Sequence, residues 1–496
     1  MNTTIAMQVC NKAVTAEVGC EYSMPDYQPE VRRLLRVQAT VLPPAAYVGA
    51  GRAEFAGTVR YDVLYSGNDG GLYSVSMAEN YELSAPLDKD ADVDYSDDIS
   101  AFCHIEPEVL TGRVTAPRKL SVRCRLRGNI KAFGQHRLVE RMHGRVPEGI
   151  ERLVGETTCG RLTRSASETV TLSDELPPMD GNVRVISCDA VGTVSEMQPT
   201  AEGVGCRGEM AVKLMTCADG EDTTPTVTIR RLPFNVMVPA DDFTPATDCF
   251  GRVCCTELST EVAEDGRILC DMTAVVTVEG QENIPVTYTA DLYSTECDSS
   301  AVYADHTFPT ASRCLSGNFT QSVYEPLASF DLEPDCEVLD VCATASATSI
   351  TFDKNKWLFT GETHLLLLTR VGDEYASHEL TLPFRYETEG EGGDLALAEA
   401  DIQMTSARAR VEGGRLGLEC EMSIAARLCT AATLTALAEA TFGDPVEKPT
   451  DLLIAYPAHN ETLWSLAKRY HAPLSTFSSM SPDTVLAKGE GIVVFE

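Results

Sequence analysis

Along most of the chain, apolar and polar residues alternate in short runs. Arg60-Tyr-Asp-Val-Leu-Tyr65 and the stretch from Val262 to Val278 are rich in Val, Thr, Ile and Tyr and carry a partial period of two. That is the signature of strands with one face turned inward. Turn signals such as Asn68-Asp-Gly70 and Ala218-Asp-Gly220 bound these runs. Helical spacing is nearly missing before residue 450, with Gln28 to Leu35 a candidate short helical turn. The expected fold class is mainly β, built from antiparallel sheets.

The strands repeat as a set. Phe55-Ala-Gly57-Thr-Val-Arg-Tyr, Cys206-Arg-Gly208-Glu-Met-Ala-Val and Phe359-Thr-Gly361-Glu-Thr-His-Leu share an apolar or Cys residue, a spacer, glycine and a β-type run. A Cys-bearing strand closes each unit: Leu120-Ser-Val-Arg-Cys124, Ile268-Leu-Cys270 and Leu416-Gly-Leu-Glu-Cys420. A proline-ended element opens each one, at Pro25, Pro177 and Pro334. Three anchors in one order at a period of about 150 residues predict three tandem β-sandwich-like repeats. Glycine inside a strand is costly, so its recurrence points to a bulge or a close backbone approach. The expected division is 1–145, 150–300 and 310–445, with linkers over 137–160 and 284–320. The segment Gly443-Asp-Pro-Val-Glu-Lys-Pro-Thr450 reads as an extended tether.

After Pro449 the period changes. A short strand over 452–456 precedes Thr462, a candidate N-cap, and Leu463, Leu466, Ala467 and Tyr470 follow at helical spacing. His471-Ala-Pro473 ends this helix, Leu474, Phe477 and Ser478 suggest a second short one, and Gly489 to Phe495 closes as a strand. The expectation is a βααβ module over 450–496.

Composition narrows the function. The net charge of −34 argues against a nucleic-acid partner, which needs basic stripes, and favours neutral or basic surfaces. No stretch approaches the ~18 apolar residues of a membrane helix. The start of the chain lacks a basic region followed by an apolar core, so no signal peptide is expected and a cytoplasmic location follows. In that compartment most of the 18 cysteines are expected to be reduced and buried. No Cys or His set has zinc-ligand spacing. No Walker loop, G-x-S-x-G or H-E-x-x-H appears, so neither enzymatic activity nor a cofactor or metal is expected. The acidic run Asp88 to Asp98 lacks the glycine and glutamate of a calcium loop and reads as a solvated turn.

Thr462-Leu-Trp-Ser-Leu-Ala-Lys-Arg-Tyr470, with Gly489 before Ile492-Val-Val494, resembles the LysM family. The resemblance implies ligand loops at Asn460, Glu461, Thr462, Leu463 and Trp464 and at Met480, Ser481, Pro482 and Asp483. The family's ligands are N-acetylglucosamine glycans. Its usual Gly-Asp is replaced here by Asn460-Glu461, and its usual Asn by Ser479 to Pro482, which moves the expected ligand toward a protein. Trp464 is either an exposed stacking residue or packed on the module's own surface. Pro29-Glu-Val-Arg-Arg-Leu-Leu35, the strand at 57–65 and Val286-Thr-Tyr-Thr-Ala-Asp-Leu-Tyr-Ser-Thr295 resemble the SPOCS family of spore-coat proteins. Repeats plus a terminal LysM-like module resemble the coat-anchoring morphogenetic proteins of clostridial endospores. That resemblance implies a scaffold on the mother-cell side of the forespore surface, whose tail binds the coat-basement ATPase. Peptidoglycan binding and self-association of the β-modules through exposed sheet edges are the alternative readings.

Overall fold

The computed structural model describes residues 3–88, 93–94, 99–177, 183–218, 224–393, 395–447, 453–477 and 480–495. Most of the acidic run at 88–98 and the turn residues Asp219 and Gly220 lie outside them. The chain is mainly β, in multiple antiparallel sheets.

Alternation in sequence becomes alternation in burial. Leu120, Val122, Cys124 and Leu126 are buried while Arg123, Arg125 and Arg127 between them are exposed. This pattern lets one face of a sheet cover a core while the other meets water. The first two-sheet body uses β1 (Thr3–Ser23), β2 (Val31–Val41), β3 (Ala45–Gly49), β4 (Arg52–Gly67), β5 (Leu72–Pro86), β6 (Val93–Asp94), β7 (Ser100–Ala116) and β8 (Lys119–Leu138). One sheet has β8 in the middle, with β1 on one side and β7 and β6 on the other. The other has β4 in the middle, with β2 and β3 on one side and β5 on the other.

After β9 (Arg141–His143) come β10 (Ile150–Leu162), β11 (Ala166–Leu176), β12 (Val183–Thr200), β13 (Gly203–Ala218), β14 (Thr226–Pro239), β15 (Asp248–Val262) and β16 (Ile268–Ser294). Here β16 is central, flanked by β11 and β10 along one edge and β15 along the other, and β12–β13–β14 form the facing sheet. The third body has β17 (Cys297–Pro326), β18 (Glu337–Asp353), β19 (Lys356–Val371), β20 (Glu374–Glu389), β21 (Leu395–Glu412) and β22 (Arg415–Pro445), in sheets β17–β22–β21 and β18–β19–β20. β9 runs parallel to the end of β22. Each body encloses its own apolar cluster, and Cys124, Cys270 and Cys420 occupy the three cores. None of the 18 cysteines is joined in a disulfide.

Several sequence expectations are corrected. Gln28 to Leu35 is not helical: residues from Val31 pair with β4, and two register shifts between Val31 and Arg36 turn Val31 and Leu35 inward. Such bulges mimic helical spacing of apolar residues. The stretches 137–160 and 284–320 are not linkers but mostly strand, within β8, β9, β10, β16 and β17. Many of their polar residues lie on outward faces, though Thr289, Ser294 and Thr295 are buried, while Cys159, Val286 and Phe308 point into a shared core.

The glycines at 57, 208 and 361 lie in central strands directly opposite Tyr81, Phe234 and Phe384. A Cβ on Gly361 would collide with the Ser346 carbonyl oxygen and sit 2.6 Å from the Phe384 ring. On Gly208 it would meet the Thr193 carbonyl and the Phe234 ring at 2.6 Å. The neighbouring strand bulges at both places, between Val194 and Glu196 and between Ala347 and Ser349. Gly361→Ala should therefore destabilise by about 1–3 kcal/mol, the usual cost of overpacking. An unchanged urea midpoint would contradict this.

The central strands stop alternating at corresponding points. Residues 130–134, 278–281 and 426–430 are buried on both faces, because there the three bodies meet. Phe102 and Phe133 of the first body pack with Leu162 of the second and Leu397 and Cys429 of the third. Two other clusters, around Phe308 and around Leu35, likewise draw on all three bodies. Buried charges lie alongside. The Arg427 guanidinium, 0% exposed, lies 2.6 Å from Glu399 and 2.8 Å from Glu279. It stacks 4.0 Å over the Phe102 ring. Burial would push the Glu399 carboxyl up, but Arg427, Arg252 and Lys131 hold it down at about 2. A second junction has Arg36 bridging Asp340 at 2.9 Å and Asp189 at 3.2 Å. Buried pairs of this kind add little net stability but penalise any arrangement that separates them.

Candidate functional site

The C-terminal module is built on one short helix, α1 (Leu463–Tyr470). Thr462 caps its N-terminus, its side chain accepting from the Ser465 N–H at 3.2 Å. Lys468 and Arg469 occupy its last turn, where cations suit the helix dipole. His471 ends it in a left-handed conformation, and the Ala472 N–H returns to the Ala467 carbonyl. Leu463, Leu466 and Ala467 face the module's core with Ala455, Phe477, Leu486 and Val494, and Tyr470 is half-buried. The expected second helix is a single 3-10 turn, Leu474–Phe477, with the Thr476 N–H donating to the Pro473 carbonyl at 3.1 Å. Two strands, β23 (Leu453–Ala455) and β24 (Ile492–Phe495), pair antiparallel.

The two loops expected from sequence do come together. The Leu463 and Trp464 N–H groups donate to the Thr484 and Pro482 carbonyls, and the Leu486 N–H donates to Glu461, all at 2.9 Å. Asn460 is exposed and left-handed, at φ 60°. The Glu461 carboxylate accepts from the Ala458 N–H at 2.7 Å and from Arg469 at 3.1 Å, which spends it inside the module. Met480, Ser481 and Asp483 are exposed, and Pro482 is half-buried. Ser478 and Ser479 lie outside the described residues.

Trp464 answers to neither sequence reading. It is 5% exposed, and what covers it is the second body. Its ring meets the Tyr293 ring edge-on, with centroids 4.9 Å apart. Its indole N–H donates to Asp291 at 2.8 Å. Lys468 Nζ reaches both oxygens of the same carboxylate, at 2.6 and 2.7 Å, and Tyr303 is a third donor, at 2.8 Å. Burial would raise the Asp291 carboxyl, but bonds from Lys468, Trp464 and Tyr303 hold it below its ordinary value. Burial and the bond to Asp291 push the Tyr303 phenol up to about 12. Around this centre the Tyr293 hydroxyl donates to the Ala472 carbonyl at 2.7 Å, His471 Nδ1 lies 2.8 Å from the Ser294 carbonyl, and the Leu474 N–H reaches Glu151 at 3.1 Å.

No family model, curated protein or solved structure matches this chain.

Asp291 and Tyr293 lie in the stretch Val286 to Thr295 that carries the SPOCS resemblance, but neither they nor Tyr303 are expected from sequence to form a site. The signal available was a carboxylate set among apolar and aromatic residues in Ala290-Asp-Leu-Tyr293. A register shift at Leu153/Val154 leaves Ala290 unpaired and re-aims the residues after it. Among the described residues, no three His, Cys, Asp or Glu side chains converge on a metal position, and no helix is long and apolar enough to cross a membrane.

Proposed function

We propose that this protein is a non-enzymatic scaffold in endospore coat assembly. In this reading the three bodies are copies of one SPOCS-like module, spanning 1–145, 150–300 and 310–445. Residues 450–496 form a LysM-like module that recruits a protein partner, the coat-basement ATPase, at the forespore surface on the mother-cell side. The recurrence of one strand order, with a Cys-bearing central strand and an aromatic-covered glycine each time, supports the repeat.

One observation favours a protein over a glycan. Trp464, the ring best suited to stacking on a sugar, is covered by Tyr293, and Glu461 is already bonded within the module. A sugar site would need both free, because stacking needs an open aromatic face and pyranose hydroxyls need unspent acceptors.

The test is recruitment by the full chain compared with a chain ending at residue 449, using the purified ATPase as bait. Loss of recruitment on truncation is expected; equal recruitment would remove the reading. Co-sedimentation of the full chain with purified cortex sacculi would favour the glycan reading instead.

A further inference from the structure

The tail is held to the second body by a small, chemically specific set of groups. One carboxylate, Asp291, takes an indole N–H and an ammonium together. Two residues later in the same strand, Tyr293 places its ring against Trp464 and its hydroxyl on the Ala472 carbonyl. An Asp-x-Tyr segment thus fills a cleft between the helix and the turn that follows it. Trp464 belongs both to this cleft and to the stitched loop pair, since its backbone N–H bonds Pro482. A partner that needs the Trp464 ring must therefore move the end of β16 aside. The tail's apolar cluster also takes in Tyr293 and Leu153 of the second body, and the chain reaches the tail from the last strand through Val446 to Leu452, which includes Pro449.

We propose that the Trp464–Lys468–Ala472 face is a recognition surface for an extended acidic–aromatic segment of the form Asp-x-Tyr. In the free protein Asp291-Leu-Tyr293, at the end of β16 and paired with β10, occupies it, and a partner protein binds by replacing that strand end with a segment of the same chemistry. The native occupant matches the cleft group for group: one cation, one indole donor, one aromatic face and one carbonyl acceptor meet a carboxylate followed by a tyrosine. This rests on the reading of the tail as a protein-binding module, and names what it would recognise.

Acrylamide quenching of the intact protein reads the clamp directly. The chain has two tryptophans, and Trp357 is 1% exposed, so a gain in quenching reports Trp464. Asp291→Ala/Tyr293→Ala should raise the quenchable emission from near nothing to the share of one tryptophan. An acetylated peptide of residues 287–296 should then shield Trp464 again, while the same peptide with Asn for Asp should not. Lys468→Glu, on a half-exposed side chain of the tail, should release Trp464 equally and keeps the test valid if the double variant fails to fold. Trp464 staying shielded in Lys468→Glu would overturn the proposal, as would equal capture of the Asp and Asn peptides by the released double variant. No readout involves the ATPase, so lost recruitment with intact peptide capture would sink the functional reading alone, and the reverse would sink this one alone.

Discussion

Arg427→Ala should cost about 3–5 kcal/mol of folding stability, the usual penalty for stranding buried charge. Among the described residues it removes the cation within 3 Å of both Glu279 and Glu399, leaving two buried carboxylates with Arg252 at 3.7 and 3.8 Å. It also removes the planar group lying on Phe102. Adding Glu279→Gln and Glu399→Gln to Arg427→Met should recover most of the loss, because the penalty belongs to the unpaired charges rather than to the missing pair. Urea denaturation of the full chain measures both. A single variant within ~1 kcal/mol of the parent, the worth of an exposed pair, would show that the junction is open to water.

The same residues should make the protein acid-sensitive in a defined window. The Glu399 carboxyl is held at about 2, below its ordinary 4.5. Its unfolded form therefore binds a proton at higher pH than its folded form. Its contribution is complete above about pH 4.5 and is lost as pH falls toward about 2, amounting to ~3 kcal/mol over the whole span. Glu399→Gln should flatten the dependence of the unfolding free energy on pH in that window. An unchanged slope in the variant would place the acid-sensitive group elsewhere.

Local features were the legible part of this fold. The alternation around Cys124, the turn signals and the recurring glycines all report on one strand and its immediate neighbours, and sequence carries that directly. Gln28 to Leu35 misled because two bulges in a strand reproduce the apolar spacing of a helix turn. The stretches at 137–160 and 284–320 misled because an outward-facing polar edge and a linker have similar composition. The junction was half-written: in Ile130-Lys-Ala-Phe-Gly134 alternation gives way to continuous burial, which signals a second covered face but not what covers it. Arg427, Glu279 and Glu399 lie on strands far apart in the chain, and nothing local distinguishes them from the many charges of so acidic a sequence. At the tail, the helix and its cap were readable from Thr462 to Tyr470. The partner of Trp464 was not, because Asp291 lies about 170 residues away and owes its aim to one unpaired alanine.

The central strands β16 and β22 run 27 and 31 residues without a break, roughly 90 and 100 Å of chain at ~3.3 Å per residue. Each starts inside one body and finishes among its neighbours, so neither belongs to a single body. A pull on the tail's anchor, which is the far end of β16, loads the interior of the second body along the strand axis, where the backbone is stiffest. Under the proposed scaffold function, such strands would act as tendons rather than hinges, and the molecule would yield as one piece instead of paying out like beads on a string.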